Sequence, residues 1–176
     1  MDFSSNFFDI FSIPVAWDID INGLGIRYRA LQQEFHPDRY ATKTDVEKRL
    51  AVQSASLINQ AFDTLKSPLK RAQYLLELNS VDANQEAHIT TDAGFLMQQI
   101  ELREALSVVS EKQDPWVELK RLTEEIEKTY RQLQSEFQHF FTTDSLNLAF
   151  NTVAKMQFFA KLLTEIEHLE DELDDA

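Results

Sequence analysis

The sequence has 176 residues, enough for one ordinary domain or two small ones, and 43% of them are hydrophobic, so a packed core is possible. Only three glycines and four prolines occur, which favours long helices, and we expect an all-α protein. A net charge of −13 argues against nucleic acid or an anionic membrane as partner, and the absence of cysteine excludes disulfides and thiolate metal sites.

The first part of the chain predicts two helices with a loop between them. Asp20 is of a residue type that caps helices, and apolar residues recur after it at helical spacing as far as Phe35. Pro37 disfavours helical geometry in the residue before it, so His36 should begin the loop in an extended conformation. A second helical pattern follows Thr44.

A third helix should begin at Ser67-Pro68, with the serine as cap and the proline in the first turn. The polar stretch 79–91 has no apolar period and is typical of a linker. We therefore predict a first domain over 1–76, a linker over 77–90 and a second domain over 91–176.

Charge also separates the two halves. Residues 1–78 hold nine Lys/Arg and ten Asp/Glu, a net charge of −1, and residues 79–176 hold eight and twenty, a net charge of −12.

The second domain contains three long helical patterns, at about 92–112, 115–141 and 144–173. Asp114-Pro115 is a typical helix start, and one of Thr143 to Ser145 opens the last pattern. Long helices joined by short connections predict an antiparallel three-helix bundle.

The tripeptide His36-Pro37-Asp38, here called the HPD loop, stands between two of the predicted helices. About twenty residues later comes the segment I-N-Q-A-F-D-T-L (58–65), followed by Pro68 and Arg71. This arrangement resembles the J-domain, a helical hairpin whose connecting loop carries H-P-D. The resemblance implies that the loop triggers ATP hydrolysis by a DnaK-type chaperone. It also implies a basic docking face, which is thin in this chain. The residues available for it are Arg27, Arg29 and Arg39.

The segments Y-L-L-E-L (74–78) and F-L-M-Q-Q-I-E-L-R-E-A-L (95–106) are similar to those of the HscB family, the co-chaperones of iron–sulfur cluster biogenesis. The resemblance covers essentially the whole chain. It implies that the partners are the ATPase chaperone HscA and the scaffold IscU, and that the two domains form an L. It also implies a scaffold-binding face made of Leu96, Met97, Ile100, Glu101, Glu104 and Phe158.

Several alternatives remain at the level of sequence. The apolar strip along 96–104 could instead be core, and the bundle could bind a different folded client. An enzyme using His36 with Asp38 is a weaker hypothesis, because no serine or cysteine nucleophile motif accompanies them. The residues from Tyr74 to Leu78 also extend an apolar stripe, for which we expect an interdomain role.

The remaining features of the sequence concern metal binding and localisation. No two of the four histidines stand at i, i+3 or i+4, so we expect no metal site and no cofactor. The N-terminus lacks the basic start and apolar run of a signal peptide, and no later stretch reaches membrane-spanning length, which predicts a cytoplasmic protein.

Overall fold

The computed structural model describes residues 6–81 and 92–174, and the chain divides into two compact units between Asn79 and Ser80. Every regular element in these described ranges is helical, which confirms the all-α class. Much of the predicted linker, 77–90, lies outside the described residues, so the domain boundaries stay predictions. No helix in the described part of the chain is long and apolar enough to cross a membrane.

The first unit is built on a hairpin of two long helices. One short helix and one of medium length pack against the second of these. A 3₁₀ turn over Pro37–Tyr40 lies between the hairpin helices. In chain order the helices are α1 (Phe7–Ile10), α2 (Ile21–Glu34), α3 (Asp45–Lys66) and α4 (Pro68–Leu78).

The ends of these helices follow from their capping residues. α2 stops at Glu34, and His36 is extended with φ −61° and ψ 131°, as the following proline predicts. α3 starts with a capping box, in which the Thr44 hydroxyl accepts the Glu47 N–H at 3.3 Å and the Glu47 carboxylate accepts the Thr44 N–H at 2.9 Å. Ser67 caps α4 as predicted.

The short helix α1 was not predicted, and it changes the role of Tyr74. The ring of Phe7 stacks on Tyr74 with centroids 4.4 Å apart, and the tyrosine hydroxyl accepts the Phe7 N–H at 3.0 Å. Burial raises the pKa of the Tyr74 hydroxyl. Phe8 and Phe11, which are close to Phe7 in the sequence, are buried. Tyr74, which we expected in an interdomain stripe, thus has partners inside the first unit.

Arg71 joins three parts of the first unit. Its guanidinium donates to the Leu65 carbonyl oxygen at 2.7 Å, at the end of α3, and lies 4.7 Å from the centre of the Trp17 ring. The side chain is buried, and a buried charge is tolerated only with such partners. The arginine of the Pro68–Arg71 motif is therefore structural.

The described residues of the second unit form three helices, as predicted: α5 (Ala93–Ser107), α6 (Pro115–Thr142) and α7 (Leu146–Asp174). α6 and α7 pack along their lengths after a reversal at Thr143–Ser145, in which Asp144 has a φ of 56°. The pattern predicted over 92–112 is not one helix. It ends at Ser107, whose hydroxyl donates to a carbonyl in the last turn, and a 3₁₀ turn follows at Val109–Glu111.

Candidate functional site

The HPD loop presents an imidazole and a carboxylate in a fixed turn. His36 Nδ1 accepts the Asp38 N–H at 3.3 Å, which requires the proton of the neutral ring to be on Nε2. The same nitrogen lies 3.6 Å from the Asp38 carboxylate. The two side chains are 58% and 91% exposed. The local contacts therefore hold the loop in shape while both functional groups stay open to a partner.

A shallow hollow of about 420 Å³ lies beside this loop. The hollow beside the loop is lined by Arg29 and Arg39 together with His36 and two glutamines of α2. Arg39 Nη1 also donates to the Gln33 carbonyl oxygen at 3.3 Å, which connects the loop to the end of α2. Three of the predicted chaperone-binding residues are thus brought together on one positively charged concave surface.

Arg27, the other predicted member of the basic face, is used differently. Its Nη1 donates to the carbonyl oxygens of Phe11 and Ser12, the second at 2.6 Å. Arg27 lines a separate hollow, which also contains Asp18 and Asp20. In the described structure Arg27 holds the turn after α1 against α2, and it does not line the hollow of Arg29 and Arg39.

The I-N-Q-A-F segment helps to hold the two hairpin helices together. The ring of Tyr28 on α2 stacks on Phe62 of α3 with centroids 3.9 Å apart, and the tyrosine hydroxyl donates to the Asn59 side-chain oxygen at 3.1 Å. Gln32 donates to the same oxygen. Gln32 is therefore part of the contact between the two helices.

In the second unit, α5 has one buried face and one open face. Phe95, Leu102 and Leu106 are each 5% exposed. On the other side, Met97 is 59% exposed and Ile100 is 53% exposed. The remaining predicted residues of this helix are the half-buried Leu96 and the exposed Glu101 and Glu104. The alternative that this strip is core does not hold for its two most exposed members.

Phe158, the predicted contribution of α7, does not share this exposure. It is only 7% exposed, and its ring meets Phe95 edge to face at 5.7 Å and Phe159 at 5.3 Å. The guanidinium of Arg103, on α5, lies 5.7 Å from the centre of the Phe158 ring. Phe158 therefore packs in the core under Arg103, a residue that the sequence did not single out.

Comparison with known proteins gives this arrangement a family. A family model described as the HSCB C-terminal oligomerisation domain matches residues 91–167. The co-chaperone protein HscB homolog of Shewanella baltica is 38% identical over 97% of this chain and 99% of its own. The chain belongs to the HscB family of co-chaperones.

Further HscB proteins agree in sequence and in fold. The homolog from Aeromonas hydrophila subsp. hydrophila is 39% identical over 96% of this chain and 98% of its own. The structure of chaperone HscB from Vibrio cholerae superimposes with a TM-score of 0.87 at 37% identity, covering 96% of this chain and 99% of that one. The structure of human co-chaperone HscB, at 24% identity, shares the fold with a TM-score of 0.88 over 97% of this chain and 84% of its own.

The HscB relatives are named co-chaperones, which is not a class of enzymes. Among the described residues, no group of three or more His, Cys, Asp or Glu side chains is placed to hold a metal ion.

An ion pair fixes the start of α5, on which the exposed face depends. Asp92 accepts the Phe95 N–H at 3.1 Å and pairs with Lys155 of α7 at 2.7 Å. The Lys155 ammonium also lies 5.3 Å from the centre of the Phe95 ring. The hydrogen bond from Lys155, followed by that from the Phe95 N–H, lowers the pKa of Asp92 below its usual range.

Because its pKa is lower in the folded state, the Asp92 carboxylate stabilises the fold above the ordinary aspartate pKa of about 3.9, and this contribution is lost as the pH falls through the lowered value. We expect Asp92→Asn, which keeps a capping oxygen, to lower the urea midpoint at about pH 7 and to differ less from wild type at about pH 3. Lys155→Met should behave alike. A difference of equal size at both pH values would show that this ion pair contributes nothing.

Proposed function

We propose that this protein stimulates the ATPase of the DnaK-type chaperone HscA through the HPD loop and delivers the scaffold IscU to it for iron–sulfur cluster transfer. The observation that supports the proposal is that each unit holds predicted site residues in an ordered element with their side chains exposed to solvent. In the first unit this is the loop at His36 and Asp38, and in the second it is the α5 face at Met97 and Ile100. Membership of the HscB family supports the assignment of the two partners.

The loop suits an acidic, polar partner surface. His36 offers Nε2–H as a donor and Asp38 offers a carboxylate as an acceptor, and their mutual contacts already hold them in place. Little conformational entropy is therefore lost on docking. Arg29 and Arg39 flank the loop and would attract a negatively charged groove, which speeds encounter. ATP hydrolysis itself takes place in the partner.

The α5 face suits a folded client with an apolar patch and basic neighbours. Met97 and Ile100 provide apolar area at the centre, and the methionine side chain adapts readily to an uneven surface. Glu101 and Glu104 flank them with carboxylates that can pair with basic side chains of the client. The second half of the chain carries a net charge of −12, which supports the same choice of partner.

A different folded client is the alternative, and it keeps the same two surfaces. Any folded protein with an apolar patch and a basic rim could bind to the α5 face, so the two hypotheses differ only in which protein is bound. Titration with purified scaffold distinguishes the two, because a different client predicts no saturable binding of IscU to this chain.

We expect His36→Gln to reduce the stimulation of HscA turnover by about tenfold or more, equivalent to at least ~1.4 kcal/mol, while scaffold binding stays unchanged. The substitution removes the imidazole from a side chain that is 58% exposed, so the fold should persist. His139→Gln, on the exposed surface of α6, is the matched control and should stimulate like wild type. Equal stimulation by the His36 variant and its control would refute the role of the loop.

The α5 face is tested by Met97→Ala combined with Ile100→Ala. Both side chains are more than half exposed, so the thermal midpoint should hardly change while scaffold affinity falls by about tenfold or more through loss of apolar contact. Leu148→Ala, on an α7 residue that is 49% exposed, is the control. Unchanged affinity in calorimetry would exclude this face.

Phe158 is not a suitable probe of the same face. Its ring is buried, and a Phe→Ala substitution in a core costs about 3–5 kcal/mol. Loss of scaffold binding in such a variant would report unfolding as readily as a lost contact, whereas the exposed pair separates the two effects.

A further inference from the structure

A hollow of about 480 Å³ in the second unit shares no residue with the α5 face. It lies where α6 begins, and Glu170 near the end of α7 contributes to its wall. Leu119 at its base is 1% exposed, whereas Trp116 and Val117 are 44% and 65% exposed. Two large apolar side chains are therefore open to solvent in a concave place, which is typical of a binding surface.

The exposed indole is held on a well-defined helix start. Asp114 caps α6 by accepting the Val117 N–H at 3.1 Å, and Pro115 occupies the first helical position. Trp116 follows directly, and Lys120 lies one turn further along the same face. The aromatic ring is thus presented by a rigid element, which lowers the entropy lost when a ligand covers it.

The charges around the hollow favour a positively charged ligand. Three carboxylates line it, from Glu124, Glu127 and Glu170, together with the ammonium of Lys120. Glu127 also accepts a hydrogen bond from Arg131 at 3.1 Å through one of its two oxygens. A tryptophan face attracts cations more strongly than any other side-chain ring, and a guanidinium can stack on it while donating to carboxylates. A second copy of a chain with a net charge of −13 is opposed by electrostatic repulsion.

We propose that this hollow, the Trp116 groove, binds an arginine-containing amphipathic segment of a partner protein. An apolar side chain of the segment would cover Val117, an arginine would stack on the Trp116 indole, and its guanidinium would donate to Glu124 or Glu127. The inference goes beyond the proposed function, because it needs neither the HPD loop nor the α5 face.

The test uses a labelled peptide with arginine and leucine at helical spacing, and a matched peptide with glutamate in place of each arginine. Fluorescence anisotropy with the full chain should show salt-sensitive binding of the first peptide only. Tryptophan emission should shift to the blue on binding. Trp17, the other tryptophan, is 8% exposed, so the shift reports Trp116.

Two variants locate the binding. Trp116→Ala, and separately Glu124→Gln with Glu127→Gln, should each weaken it by about tenfold or more. The control is Glu136→Gln with Asp144→Asn, which removes the same charge towards the other end of α6 and should bind like wild type.

Four results would overturn the proposal. The first is no binding of the arginine peptide, and the second is equal binding of both peptides. The third is equal weakening in the groove and control variants, which would indicate attraction to net charge alone. The fourth is a dimer in sedimentation that Trp116→Ala abolishes, which would make a second copy the occupant.

Discussion

The ring of Phe95 meets the ring of Phe158 edge to face, and this contact determines which side of α5 faces solvent. An α-helix turns by about 100° per residue, so once Phe95, Leu102 and Leu106 point inward, Met97 and Ile100, which lie roughly 140–160° around the helix from Phe95, point outward. The open positions of Met97 and Ile100 are thus a consequence of core packing. The Asp92–Lys155 ion pair reinforces this geometry from the surface by joining the start of α5 to α7.

The first unit produces an exposed site by a different route. Its helices are held by contacts away from the loop, including the stacking of Tyr28 on Phe62 and the burial of Arg71 beside Trp17. Pro37 ends the helical geometry of α2, and the HPD loop is then fixed by its own short contacts. A rigid framework with a small open loop suits recognition of a partner that itself carries the chemistry.

Features set by local chemistry could be predicted from the sequence, and features set by distant contacts could not. The last residues of α2 follow from Pro37, and the first residues of α4 and α6 follow from Pro68 and Asp114-Pro115. The structure has these boundaries where the sequence predicts them. The burial of Phe158 was missed because α7 carries apolar residues around most of its circumference, so its sequence does not show which side is buried. The anchoring role of Arg27 depends on carbonyl oxygens about fifteen residues earlier, to which a charge pattern gives no clue. α1 has four residues, too few for a helical period to be visible.

The adaptor mechanism requires both recognition surfaces on one molecule. Its most direct test is the scaffold-dependent ATP turnover of HscA in the presence of two full-length variants mixed together, one with His36→Gln and the other with Met97→Ala and Ile100→Ala. If one molecule must hold the scaffold and dock on the chaperone, the mixture shows none of the scaffold-dependent increase seen with wild type. Recovery of the wild-type increase by the mixture would contradict the mechanism, because the two contacts would then act from separate molecules.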